Sequence, residues 1–303
     1  MAGTGQSGWT REESEALQRA LLAPRFELIP IKGMEEEASH LPAGATVTVT
    51  SSPAKGIERT LQAAEWLAER GFHVVPHIAA RLVGGDAHLK SITRRLAVLN
   101  VREIFVIGGD AREPAGPFRS ALDLLLGLSR IEHRVGRIGV AGYPERHPLV
   151  DEVALAGALE AKAAYADYIV TQICFDPAVI ISWVSSIRRN GIALPVFAGL
   201  PGVVDRKQLL SISLKIGVGD STRFLARHAG MVGMLLKPGG YDPTDLVRGL
   251  APALVSADAG IAGFHVNTFN QVQSSEEWRR ALVATLASPG GAPGHDYGTA
   301  AHA

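Results

Sequence analysis

Short apolar runs alternate with longer amphipathic segments along this chain, and the alternation repeats about eight times. The clearest run is residues 104–107, where four apolar side chains follow one another with no polar residue between them. Unbroken runs of this length are typical of strands that are covered on both faces in a parallel sheet. The segments that follow the runs place apolar residues at helical spacing. The pattern therefore predicts a series of βα units.

The predicted helices and strands have recognisable starts and stops. Thr10 and Glu13 form a capping-box pattern at the first helix, and Gly71 follows the helix after the second strand. Strands are predicted at 25–31, 46–50, 72–78, 104–107, 137–142, 168–174, 192–198 and 262–268. Helices are predicted at 10–22, 56–70, 86–100, 115–130, 148–164, 177–190 and 274–286, with a longer interrupted helical stretch at 205–257.

Eight βα units in 303 residues favour an α/β fold of the (β/α)8 TIM barrel type, with an N-terminal helix and extra helices after the seventh strand. An open doubly wound sheet is the other arrangement of such units. The usual signatures of nucleotide-binding open sheets are missing, since no Gly-x-Gly-x-x-Gly follows the early strands and no Gly-x-x-x-x-Gly-Lys-Ser/Thr occurs. The barrel is the predicted fold.

The ends of the chain differ in composition from the rest. Residues 1–8 are small and polar and are expected to be disordered, and residues 288–303 are rich in Gly, Ala and Pro and are expected to form a flexible tail. Residues 9–287 are then expected to form a single barrel domain.

The composition of the chain limits which binding partners and which cellular compartment are expected. Lys plus Arg and Asp plus Glu number 30 each, so no overall charge attracts nucleic acid or an anionic membrane. Cys174 is the single cysteine, which excludes an internal disulfide framework and a cysteine-cluster metal site. No long apolar span or signal-like segment is evident, so a cytoplasmic protein without a metal centre is expected.

Candidate chemistry follows the strand at 104–107. Gly108 and Gly109 let the backbone turn sharply or approach a ligand, and Asp110 then stands at the carboxyl end of the strand. In parallel α/β folds this end carries the functional groups. A surface turn with a solvated aspartate is the alternative interpretation.

Polar side chains also end several other predicted strands. They are Glu27, Thr50, His77, Tyr143 with His147, Gln172 and Asn267. In a barrel all these strand ends open onto one rim. Each has a structural alternative, such as Glu27 on a solvated edge, His77 as a hydrogen-bonded core histidine, Tyr143 as a packing residue and Gln172 as a satisfied buried amide. Their recurrence at one end favours a ligand site, because half-buried polar groups are costly without partners.

Five segments of the sequence resemble the 5,10-methylenetetrahydrofolate reductases, in the same order along the chain. They are FELIPIK at 26–32, GGD at 108–110, YPERHP at 143–148, ADYIVTQICFD at 166–176 and FHVNTFN at 264–270. The resemblance implies a (β/α)8 barrel that reduces 5,10-methylenetetrahydrofolate to 5-methyltetrahydrofolate. It also implies a reduced nicotinamide dinucleotide as the electron source, usually by way of bound FAD.

The resemblance assigns a role to each of these strand-end residues except Asn267. Glu27 matches the general acid, and Asp110 matches a carboxylate that favours the cationic intermediate and helps to hold the pterin. Gln172 matches a folate-binding glutamine, which supplies both a donor and an acceptor. Contacts to the flavin are matched by Thr50, His77, Tyr143 and His147.

Departures from the family pattern concern the flavin. Gly108 stands where members that carry FAD have an arginine, and Ala154 and Ala161 stand where they have an aspartate and a lysine. Lys162 replaces that lysine only if the alignment shifts by one residue. Lost charge-assisted hydrogen bonds are worth about 1.5 to 3 kcal/mol each, so the departures count against FAD as a bound cofactor.

The function expected from the sequence is reduction of methylenetetrahydrofolate by NADH or NADPH, with NADH favoured and hydride passing directly to the folate. Alternatives are an FAD-dependent reductase with a rebuilt diphosphate site and a non-catalytic folate-binding or regulatory protein on the same scaffold. Arg206 either starts a helix as a solvated cation or meets a dinucleotide phosphate. The oligomeric state stays open.

Overall fold

Eight parallel strands in the computed structural model pair in chain order, and the first also pairs with the last to close a barrel. Residues 9–145, 151–204 and 241–287 are described. The strands are β1 (Arg25–Leu28), β2 (Thr46–Val49), β3 (His73–Ala79), β4 (Glu103–Ile107), β5 (Arg137–Gly142), β6 (Tyr168–Thr171), β7 (Val196–Pro201) and β8 (Ile261–Asn267). The predicted (β/α)8 barrel is confirmed.

Helices surround the barrel in the described part of the chain. They are α1 (Arg11–Leu22), α2 (Met34–Ala38), α3 (Gly56–Ala68), α4 (Asp86–Val98), α5 (Ala121–Leu128), α6 (Glu152–Ala163), α7 (Pro177–Arg189), α8 (Thr244–Val255) and α9 (Val272–Ala287), with a 3-10 turn at Ala80–Leu82. The apolar core lies between these helices and the outer face of the barrel.

The N-terminal helix begins where the sequence predicts. Thr10 caps α1, and the backbone N–H of Glu13 donates to the Thr10 hydroxyl while the Glu13 carboxylate accepts from the Thr10 backbone. The buried face of α1, which includes Leu17 and Leu21, packs against α8 and α9. The N-terminal helix thus closes onto the last helices of the barrel.

Several elements differ from the sequence prediction. The prediction of a helix from residue 115 is wrong, because α5 begins at Ala121 after a capping box between Ser120 and Asp123. Strand β7 runs over Val196–Pro201 rather than 192–198, since its pairing with β8 continues to Pro201. The short helix α2 was not predicted. Of the predicted helical stretch at 205–257, residues 205–240 lie outside the described residues and α8 is its described part.

The amino-terminal end of the barrel interior is filled by charged and aromatic side chains. Arg25 is buried, donates to the Glu103 carboxylate at 2.7 Å and lies over the rings of Tyr168 and Phe197 at 4.5 and 4.4 Å. Arg137 lies 3.7 Å from the same carboxylate. Burying a guanidinium requires such partners, so this cluster closes the end of the barrel opposite the strand carboxyl ends.

An apolar layer lies above this charged cluster inside the barrel. Val75, Phe105 and Val170 pack there with Tyr168. The interior therefore changes from charged to apolar and then to polar toward the carboxyl ends of the strands, and the apolar layer forms the floor of the space above it.

Candidate active site

A cavity of about 720 Å³ opens at the carboxyl ends of the strands. Its lining includes six of the seven residues to which the family resemblance assigns a role: Glu27, Thr50, His77, Asp110, Tyr143 and Gln172. The seventh, His147, lies outside the described residues, as does Arg206. The strand ends thus bring the described candidates into one space, as the geometry of a parallel barrel requires.

Glu27 lies deep in this cavity between two histidines. Its Oε2 atom lies 3.2 Å from Nε2 of His265 and 3.9 Å from Nε2 of His77. Its side chain is 17% exposed, whereas those of His77 and His265 are 8% and 3% exposed. Glu27 is therefore the partly accessible member of a buried carboxylate–histidine group.

The local environment sets the charge of this group. Burial raises the pKa of Glu27, but the hydrogen bond from His265, with smaller electrostatic contributions from His265 and His77, outweighs it and leaves the pKa below its ordinary value. Burial lowers the pKa of His77 to about 4. At neutral pH Glu27 is ionised and His77 is neutral. An ionised carboxylate only accepts hydrogen bonds, so Nε2 of His265 must carry the proton between them.

Asp110 and Gln172 occupy the outer part of the cavity, where both are exposed. Gly109 precedes Asp110 with φ of 85°, and an added Cβ there would lie 2.9 Å from the Cβ of Ala79. This turn requires glycine and directs the chain of Asp110 over the strand ends. Burial and the charge of Asp110 together raise the pKa of Tyr143. The Asp110 carboxylate and the Tyr143 hydroxyl therefore interact electrostatically.

Three buried polar atoms of cavity-lining residues have no hydrogen-bond partner within the described part of the chain. They are Nε2 of His77, Nδ1 of His265 and the hydroxyl oxygen of Ser51. Buried polar atoms are normally paired, because leaving one unsatisfied costs about 1 to 3 kcal/mol. A ligand or water molecule that reached these three atoms would satisfy them.

Sequence reasoning did not single out His265 or the arginines of the cavity wall, Arg81, Arg112 and Arg119. A signal for His265 was present in the alternation of β8, where positions 263, 265 and 267 share one face. Asn267, on that face, was identified as a strand-end residue and lines the cavity. The arginines lie in loops or on a 3-10 turn, where periodicity carries no signal.

The positions that the family resemblance connects with the flavin diphosphate supply no cation here. Gly108 lines the cavity without a side chain, and Ala154 and Ala161 are exposed on α6 and are not part of the cavity lining. Lys162 is buried and donates through Nζ to the carbonyl of Ala141 at 3.2 Å, and burial lowers its pKa to about 8. These residues do not fit a bound flavin diphosphate.

The described ranges contain neither a candidate metal site nor a candidate membrane span. No group of three or more His, Cys, Asp or Glu side chains there is placed to hold a metal ion. No described helix is long and apolar enough to span a membrane.

Fold and cavity together define a (β/α)8 barrel with ionisable groups gathered at the carboxyl ends of its strands, which is the arrangement of barrel enzymes. The methylenetetrahydrofolate reductase family model matches residues 30–217, more than half of the chain. The chain therefore belongs to the methylenetetrahydrofolate reductase family.

Individual relatives match over shorter segments. Methylenetetrahydrofolate reductase 1 of Schizosaccharomyces pombe is 35% identical over 123 residues, which cover 38% of this chain and 20% of that protein. Methylenetetrahydrofolate reductase (NADH) 1 of Arabidopsis thaliana is 33% identical over 112 residues, 32% of this chain and 18% of that protein. Methylenetetrahydrofolate reductase 2 of Saccharomyces cerevisiae is 35% identical over 92 residues, 28% and 15% respectively. The matched segments thus span about a fifth of these relatives.

Proposed function

We propose that this protein reduces 5,10-methylenetetrahydrofolate to 5-methyltetrahydrofolate with NADH as the hydride donor. The observation that carries the proposal is the Glu27 carboxylate, hydrogen bonded to His265 in a cavity whose outer part presents Asp110 and Gln172. Membership of the reductase family supports the substrate class, and two relatives, from Arabidopsis thaliana and Zea mays, have NADH in their names.

The reaction begins with a proton transfer. Protonation of N10 lets the bond between N10 and the methylene carbon break, which leaves a cationic iminium at N5. Glu27 is the group we assign to deliver this proton from its carboxyl oxygen. A folate seated over Glu27 excludes water, which raises the pKa of the carboxyl and favours its protonated form.

His265 positions the carboxyl group of Glu27. Its Nε2–H bond holds Oε2, and the ring is almost fully buried on β8, so the carboxyl group has one oxygen fixed and the other facing the cavity. A fixed acid loses less entropy in reaching its transition-state geometry. His265 is therefore a positioning residue for the acid.

Asp110 and Gln172 recognise the folate and stabilise its charge. The carboxylate accepts from the amine and amide edge of the pterin and favours the nearby iminium cation, and the glutamine side chain supplies a donor and an acceptor to the same ring system. Hydride then passes from C4 of the dihydronicotinamide to the methylene carbon, giving the methyl group and oxidised dinucleotide. We assign Nε2 of His77 and the Ser51 hydroxyl, which have no hydrogen-bond partner among the described residues, to the carboxamide of the nicotinamide.

A flavin-dependent route is the second candidate. Thr50, His77 and Tyr143, which match flavin contacts in the family, all line the cavity. Positions 108, 154 and 161 hold Gly, Ala and Ala and so lack the charged side chains expected for the flavin diphosphate, which counts against this route.

Product formation tests the proposal. The purified protein is incubated with methylenetetrahydrofolate and NADH without added flavin, and 5-methyltetrahydrofolate is quantified by chromatography and mass spectrometry, with NADPH in a parallel reaction. We expect product with NADH that depends on protein concentration. Absence of product with either dinucleotide, with and without FAD, would favour a non-catalytic folate-binding protein.

A further inference from the structure

The loop from Gly108 to Ser120, between β4 and α5, is held in place by one arginine. The guanidinium of Arg81 donates to the backbone carbonyls of Ala111 at 2.6 Å, Arg112 at 2.6 Å and Arg119 at 3.3 Å. Because Nε and both terminal nitrogens are engaged, this side chain serves the loop rather than a ligand. We call residues 108–120 the arginine loop.

Close backbone contacts restrict the same loop further. The backbone N–H of Arg81 donates to the Gly108 carbonyl, and that of Ala115 donates to the Arg81 carbonyl. A Cβ added at Gly116 would lie 2.6 Å from the backbone of Gly84, a distance that no ordinary side chain tolerates. The loop therefore presents its side chains from a fixed backbone.

The arginine loop itself contains two arginines that line the cavity. Arg112 and Arg119 line the cavity and are exposed, and their guanidinium groups make no hydrogen bond or ion pair with any described residue. Together with Arg81 they are the only described arginines or lysines in the cavity lining. A fixed loop thus carries, at the wall of the cavity that Asp110 also lines, two guanidinium groups that have no partner among the described residues.

We propose that Arg112 and Arg119 bind the diphosphate of the nicotinamide dinucleotide. The inference rests on the proposed function, which requires a dinucleotide in this cavity. A diphosphate carries two adjacent negative charges with several acceptor oxygens, and a guanidinium presents paired donors that match a phosphate in bidentate geometry. Two such groups on one rigid loop suit two linked phosphates.

Direct binding measurements separate this site from the catalytic step. NADH affinity is measured by fluorescence titration without folate for the parent, R112Q, R119Q and the double variant. Each substitution is expected to weaken NADH binding about 10-fold or more, in line with hydrogen bonds to charged groups. R112K keeps the charge without the planar fork and is expected to lose less. Arg94, exposed on α4 and away from the cavity, gives the matched control R94Q, which is expected to bind NADH as the parent does.

Other anionic ligands provide the remaining arms of the test. Reduced nicotinamide mononucleotide, which has one phosphate, is expected to lose less affinity than NADH in the double variant. Weakened folate binding with unchanged NADH binding would assign the arginines to the folate carboxylates and overturn the proposal. Stoichiometric FAD binding that depends on the arginines, with NADH binding indifferent to them, would overturn it in favour of a flavin diphosphate.

The two proposals fail separately. A parent protein that makes methyltetrahydrofolate while its NADH affinity is indifferent to both arginines overturns the diphosphate site alone. A parent that makes no product, but binds NADH through these arginines, overturns the reductase function and supports the site. Thermal unfolding of each variant confirms that it is folded before binding is compared.

Discussion

His265 on β8 holds Glu27 on β1 across the seam where the barrel closes, with 3.2 Å between Nε2 and Oε2. The two residues are not opposite each other, because Glu27 pairs with Asn267 and His265 pairs with Arg25 in the strand register. The contact is therefore a diagonal one inside the barrel, formed only when the last strand meets the first. The pairing of β8 with β1 that closes the barrel therefore also brings His265 to Glu27.

Replacing His265 should change the pH at which the acid works. In H265N the imidazole is lost, so burial of Glu27 is less opposed and the pKa of Glu27 rises. Since the protonated acid is the active form, the high-pH limb of the kcat/KM profile should move to higher pH. H73N, at an exposed histidine of β3, is the control. If the high-pH limb of the H265N profile coincides with that of the parent, His265 does not position the acid.

Glu27→Gln tests the acid itself. The amide keeps the shape and accepts a hydrogen bond but delivers no proton, so kcat should fall about 10² to 10⁴-fold. Folate should still bind, which equilibrium titration measures. E113Q, at an exposed residue of the arginine loop outside the cavity lining, should be unaffected. Turnover of E27Q within about threefold of the parent would exclude Glu27 as the acid.

Asp110→Asn should lower folate affinity and turnover together. The lost charge serves both the pterin and the iminium cation, so kcat/KM should decrease more than kcat alone. The pKa of Tyr143 should also fall, because the charge of Asp110 contributes to raising it. Ultraviolet titration of the tyrosinate reports this second effect. Unchanged kinetics would leave Asp110 as a solvated turn residue.

His77 should make the fold sensitive to mild acid. Its pKa is lowered from 6.5 to about 4 by burial, so between these values the unfolded chain binds a proton that the folded protein does not. Stability is therefore lost as pH falls through this window, and this residue should account for about 2 kcal/mol between pH 7 and pH 5. Urea unfolding of H77F at both pH values should show a smaller loss than the parent.

The matched control for that measurement is H73N, since His73 is exposed at the start of the same strand. It should retain the full pH dependence of the parent. If H77F and the parent lose equal stability between the two pH values, His77 is not the group responsible.

The sequence was sufficient for the barrel and for the approximate positions of its eight strands. Apolar runs such as 104–107 are read directly, and the strand ends fix Glu27, His77 and Asp110 on one rim; their catalytic and binding roles stay predictions. The start of α5 was misplaced, because Gly116 and Pro117 belong to the arginine loop and the Ser120–Asp123 capping box sets the true boundary.

Features that depend on tertiary contacts could not be predicted from the sequence. Arg25 stands one residue before an apolar residue at a strand start, a position that equally fits solvent, and only the closed barrel brings Glu103 and Tyr168 around it. The contact between His265 and Glu27 spans 238 positions of the chain. The carbonyls that Arg81 binds are backbone groups, which leave no trace in residue type.

The most direct test of the account is the initial-velocity pattern of methyltetrahydrofolate formation. Protein shown by its visible spectrum to be free of flavin is assayed with NADH varied at several fixed concentrations of methylenetetrahydrofolate. Direct hydride transfer needs both substrates bound together, so intersecting double-reciprocal lines are expected, with rates unchanged by added FAD. Parallel lines, or activity that appears only with FAD, would contradict it and assign hydride transfer to a flavin.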